Sequence, residues 1–81
     1  MEAFNRLLNL ESHRLSVFRG ADGMICVEYD GAWISDGVTL TGTCGRGRTL
    51  DEACDNYLAK ISGKKLVFER LNGERREVIV L

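Results

Sequence analysis

The chain contains no proline, one tryptophan, one histidine and three cysteines in 81 residues, and each shortage removes a class of explanation. Without proline there is no proline-rich linker, and no internal repeat or low-complexity segment marks a boundary, so residues 1–81 read as a single domain. A lone histidine, His13, leaves little for imidazole-based metal or acid–base chemistry. Three cysteines, an odd number without paired spacing, fit reduced thiols better than a disulfide framework. Charge of one sign is also missing. The 11 basic and 12 acidic residues are mixed along the chain for a formal charge of −1, so no long-range field draws in nucleic acid or an anionic membrane. The longest apolar runs, such as Val78 to Leu81, are too short to span a bilayer, and the N-terminus carries no signal-peptide core. A cytoplasmic location is therefore expected.

What is present is the composition of a folded domain, 44% hydrophobic and 28% charged. A chain of this length buries only about two-thirds of its unfolded surface, and small domains often add an oligomer interface to compensate. A homo-oligomer is the expectation here.

The local patterns give an α+β fold: a short N-terminal helix, a three-stranded antiparallel sheet, one capped helix packed on it and a C-terminal β-hairpin. Phe4, Leu7 and Leu8 at helical spacing predict a helix up to about Leu10, too short to stand without docking on something. Leu15 to Phe18 alternates and ends at Gly20-Ala21-Asp22-Gly23, a turn, and the returning strand carries Ile25, Val27 and Tyr29 on one face until Asp30-Gly31. Trp33 falls on the connection that follows. A third strand is expected from Val38 to Cys44, with Val38, Leu40, Gly42 and Cys44 on one face and Thr39, Thr41 and Thr43 forming an outward polar ladder. Thr49-Leu50-Asp51-Glu52 has capping-box spacing, Leu50, Ala53, Tyr57, Leu58 and Ile61 form an apolar stripe, and Gly63 stands where a left-handed residue closes a helix. Asn72-Gly73 predicts a two-residue hairpin turn that sets Glu69 opposite Arg76 and Val67 opposite Val78. The apolar run to Leu81 must then be covered, either in the sheet centre or across a subunit interface.

The candidate sites follow from these placements. Cys26, Cys44, Cys54 and His13 supply the atoms of a zinc site but none of its paired spacings, so no metal is expected, and Cys26 and Cys44 suit buried strand positions. Carboxylates on the helix are accounted for by capping and those in turns by local hydrogen bonds, so no catalytic set is assigned and no cofactor is expected. Gly45-Arg46-Gly47-Arg48 leads into a helix N-terminus, where free amides and two guanidiniums suit an anion. Arg46, Arg48 and Thr49 are the residues for that role. Trp33 beside Thr41 and Thr43 offers a surface that stacks on a base or anchors a protein interface.

The stretch Thr41-Gly42-Thr43-Cys44-Gly45-Arg46-Gly47-Arg48-Thr49-Leu50-Asp51-Glu52-Ala53 resembles the G-x-T-x-E-E-A segment of HicB-type antitoxins, whose small ββ(β)αβ domain covers a toxin's active site. It is also similar to the strand-to-helix junction of double-stranded-RNA-binding domains. The first resemblance implies binding by blockade. The second carries less, because Leu50 and Asp51 stand where that family places a lysine pair on phosphate. In style the chain also looks like the small accessory proteins of phages and mobile elements. The expectation is thus a non-enzymatic module that blocks a protein partner or sequesters a small, nucleotide-like anionic ligand. The alternatives are a degenerate RNA-binding-type domain and a small cysteine-dependent enzyme, the latter marked by a thiol titrating below the usual value.

Overall fold

The computed structural model describes residues 2–11, 13–69 and 73–80. Along the chain run α1 (Glu2–Leu10), β1 (Leu15–Arg19), β2 (Ile25–Tyr29), β3 (Ala32–Ser35), β4 (Leu40–Thr41), β5 (Gly45–Gly47), α2 (Leu50–Ile61), β6 (Lys65–Glu69) and β7 (Arg75–Ile79). The strands form two antiparallel sheets, ordered β1-β2-β5 and β4-β3-β6-β7. The α+β class, the N-terminal helix, the capped helix and the C-terminal hairpin are as the sequence predicts; the four-stranded sheet is the addition.

α2 forms for local reasons. Thr49 sits in extended geometry at its N-cap, with its hydroxyl accepting from Glu52 N at 3.2 Å, a cap whose loss typically costs about 1 kcal/mol. Asp51 and Glu52 in the first turn and Lys60 in the last complement the helix dipole. Gly63 closes the helix at φ 75°. The face so presented buries Ala53, Cys54, Tyr57, Leu58 and Ile61, and α1 packs on it with Ala3 and Leu7 buried. Leu7, Ile61 and Leu66 are almost wholly removed from water, each contributing about 1.5–3 kcal/mol of hydrophobic stabilisation.

The Asp30-Gly31 break does not end the sheet but transfers the chain from one sheet to the other. Asp30 N donates to Arg14 O (2.8 Å), continuing the β1–β2 ladder, and Glu69 N donates to Gly31 O (3.2 Å), continuing β3–β6. Tyr29 and Ala32 both face the core, although strict alternation would set residues three apart on opposite faces. Gly31 at φ 69° absorbs the difference, the behaviour of a glycine β-bulge. Trp33 consequently lies within strand β3, not on a connection, and points away from the core that Ala32 and Ile34 join.

The third strand departs most from expectation. Asp36 takes the amides of Val38 (2.8 Å) and Thr39 (2.7 Å) and the Thr39 hydroxyl (2.9 Å) on its carboxylate, making residues 36–39 a turn. Regular pairing is left only at Leu40–Thr41 and Gly45–Gly47. The faces are also reversed. Leu40 pairs with Ser35, on the side of Trp33, and Thr41 with core-facing Ile34. Val38 is 93% exposed. Cys44, expected to be buried, is only half-buried between β4 and β5.

In the C-terminal hairpin Glu69 pairs with Arg75 and Val67 with Glu77, one residue away from the expected register. Five residues separate Glu69 from Arg75, an odd number that a two-residue turn cannot leave; Gly73 is left-handed at φ 83°, while Asn72 lies outside the described residues. β7 is an edge strand, which removes the sheet-centre alternative for the C-terminal run. Val80 is buried beyond it, and Leu81 lies outside the described residues.

Candidate functional site

Both helices and the core occupy one side of the sheets. Alternation along β2 and β3 puts Cys26, Glu28, Trp33 and Ser35 on the other, helix-free side. Paired residues share a face, so the row Phe18–Cys26–Arg46 lies there, together with Trp33–Val67–Glu77 and Leu40–Ser35–Lys65–Ile79. Phe18 (45%), Trp33 (38%), Leu40 (39%) and Ile79 (64%) are exposed upon it. Ion pairs Lys65–Glu77 (3.6 Å) and Arg75–Glu69 (3.9 Å) flank the apolar side chains.

Trp33 is exposed on this face. Gly42 lies beside the ring, where an added Cβ would meet the indole Cζ3 at 3.5 Å, an ordinary contact. Thr41 and Thr43 flank that glycine in the chain, but Thr41 turns to the Ile34 side. Of the six candidate residues, Trp33 and Arg46 share the helix-free face.

The glycine turn has a packing role of its own. A Cβ on Gly45 would lie 2.2 Å from Ala53 O, and one on Gly47 2.6 Å from Ala53 N, so these glycines let β5 approach the α2 backbone. Arg46 forms an ion pair with Asp22 of the β1–β2 turn, and its carbonyl accepts from Asn56 Nδ2 at 2.6 Å. Thr49 is occupied by the cap, and Arg48 is exposed.

Among the described residues the buried side-chain polar atoms have partners. Tyr57 OH accepts from Tyr29 N at 3.0 Å, and Tyr29 OH donates to Leu7 O. The first bond has a topological cause. Continuing the β2–β5 register would pair Tyr29 with residue 43, where β5 has not yet begun, so the phenol stands in for the missing strand. Burial, then the neighbouring phenol, pushes Tyr29 well above its usual value; burial likewise raises Tyr57, opposed by its bond from the Tyr29 amide. The Cys54 thiol is pushed up by burial and by Asp51 and Asp55, the opposite of an activated nucleophile. Among the described residues no cluster of histidine, cysteine or carboxylates is arranged to hold a metal, and no helix is long and apolar enough to cross a membrane.

A cleft of about 290 Å³ between α1 and the end of β7 is lined by Arg6, Asn9, Leu10, Ile79 and Val80, and Ile79 is its only residue on the helix-free face. The exposed members of that face, Phe18, Leu40 and Ile79, were missed in the sequence because period-two patterns show alternation but not which phase faces solvent. Comparison with protein-family models, with curated proteins and with solved structures finds no match.

Proposed function

We propose that this domain is a non-enzymatic binding module that blocks a protein partner, as inhibitor or antitoxin-like proteins do, through the helix-free sheet face around Trp33. One observation carries the reading: Trp33, Leu40 and Ile79 stand exposed together on a single face bordered by ion pairs. An aromatic anchor within an apolar patch and a charged rim is the anatomy of a protein interface.

Sequestration of a nucleotide-like anion at the Gly45 to Arg48 turn draws less support, since Arg46 already faces Asp22 and both glycines press on α2. Nucleic-acid binding has no basic surface to rest on at a net charge of −1. The cysteine-enzyme alternative lacks an activated thiol at Cys54.

The test is affinity capture from source-cell extract with the wild-type chain, Trp33→Ala, and Asp55→Asn on the helix side. The expected result is a protein held by wild type and by Asp55→Asn but bound roughly tenfold or more weakly by Trp33→Ala, the loss typical of an anchor residue. Undiminished capture by a folded Trp33→Ala, Leu40→Ala double variant would show that another surface makes the contact.

A further inference from the structure

Free sheet edges invite strand pairing with other chains, and proteins ordinarily guard them. Three of the edges here are guarded. At β5, α2 reaches across: Asn56 Nδ2 donates to Arg46 O (2.6 Å) and Lys60 Nζ to Cys44 O (2.8 Å). Those are the carbonyls on the side away from β2, because the odd-numbered residues of β5 face β2. β4 is two residues long, too short to template a strand. β7 sets Arg75, Arg76 and Glu77 in succession along its edge.

β1 carries none of these devices before its last residue, Arg19. Leu15-Ser16-Val17-Phe18 runs without charge or proline, its register with β2 is unbroken, and Val17 and Phe18 are 47% and 45% exposed. The bonds at its two ends fix which main-chain groups are open. Asp30 N donates to Arg14 O and Gly20 N donates to Met24 O, both at 2.8 Å, so the even-numbered residues turn to β2. Leu15, Val17 and Arg19 direct their N–H and C=O groups to the open edge, where they have no backbone partner among the described residues.

We propose that this edge pairs with β1 of a second copy of the chain, antiparallel about a two-fold axis at Val17. That register joins the outward groups of Val17 to those of Val17 in the second copy, and those of Leu15 to those of Arg19, each pair exchanging two hydrogen bonds. Phe18 then lies opposite Ser16, a small residue that leaves room for the ring. The charges that bound the run, Arg14 and Arg19, fall opposite Gly20 and Leu15, so no like charges meet. A second copy is favoured over a charged foreign strand because the run offers no charge to recruit one, whereas in self-pairing the chain supplies a matching uncharged strand.

Sedimentation velocity of the full chain over a dilution series tests this, with hydrogen exchange of the β1 amides beside it. The expected result is a species near twice 9.1 kDa, weakened at least roughly tenfold by Val17→Lys, which sets two ammonium groups against each other at the axis. Ile79→Lys, on the β7 edge, leaves it unchanged. In the wild-type dimer the amides of Leu15, Val17 and Arg19 are protected, a readout that needs no variant. A wild-type chain that stays monomeric at its highest soluble concentration overturns the proposal. So does a dimer whose three amides exchange as open-edge amides, or one dissolved by Ile79→Lys and not by a folded Val17→Lys.

Discussion

Gly45→Ala isolates the closest contact in the fold. The added methyl would stand 2.2 Å from Ala53 O and 2.4 Å from both Tyr57 N and Cβ, and two of these three atoms belong to the α2 backbone, which cannot turn aside as a side chain can. To restore ordinary separations β5 and α2 must part by about 1 Å, a gap that already forfeits a quarter to a half of each dispersion contact along the seam. Overpacking of this kind costs about 1–3 kcal/mol, and the bonds from Asn56 to Arg46 O and from Lys60 to Cys44 O add about 1 kcal/mol each if they break. The expected loss is therefore about 3 kcal/mol or more, set against a total of about 4–12 kcal/mol for a chain of this length. Urea denaturation followed by circular dichroism reads it as a midpoint lowered by about 3 M or more, taking a slope near 1 kcal/mol per molar. The sign is diagnostic. Gly45 does not have positive φ, so an alanine with room to fit would raise stability by about 0.4–1 kcal/mol through the unfolded chain. Gly42→Ala, whose methyl meets the Trp33 ring at 3.5 Å, serves as the tolerant control. A Gly45→Ala protein as stable as wild type would refute the account of the glycine turn as a packing device.

The two tyrosines separate under conservative change. Tyr57→Phe leaves the Tyr29 amide buried without an acceptor and is expected to cost about 1–3 kcal/mol, whereas Tyr29→Phe costs less, because Leu7 O keeps its helical bond from Glu11 N; paired urea titrations rank them. The raised values of both phenols predict alkaline unfolding. Above the unfolded value of 10.0 the unfolded chain loses protons that the folded one retains, so stability is full below that pH and falls as pH rises past it; tyrosinate absorbance and circular dichroism should change together. Two phenols that ionise in a still-folded chain would contradict the burial on which this rests.

Much of the fold was legible where a residue acts on its own neighbourhood. Thr49 with Glu52 set the start of α2, Gly63 its end, and the Gly20 to Gly23 cluster a hairpin, each through chemistry within four residues. Legibility failed where distant groups compete for the same backbone. Val38 to Cys44 has a strand's alternation, but Asp36 captures the amides that pairing would use. The hairpin register followed the favoured two-residue turn rather than the pairing of β6 with β7. At the site, Trp33 and Arg46 stood out by residue type, Trp33 as a ring on a connection and Arg46 as part of a glycine turn, yet the face they share depends on the bulge at Gly31, which pattern reading treats as a chain break. The Asp22 partner of Arg46, 24 positions away, has no sequence signal at all.

Gly31 gives the sheet something like a reading frame. From Ala32 onward, which residues meet the helices and which meet solvent is decided by the one-step phase change at positions 30 and 31. Straightening the bulge while keeping every residue would turn β3 over, sending Trp33 into the core and Ile34 to the outside, whereas removing one residue there would restore plain alternation between Tyr29 and Ala32 and leave both faces as they are. A substitution along β3 changes one position at a time, whereas a residue that cannot hold the left-handed conformation at position 31 puts both faces at risk at once, and loss of one residue at the bulge is expected to be tolerated better than a β-branched side chain in place of Gly31.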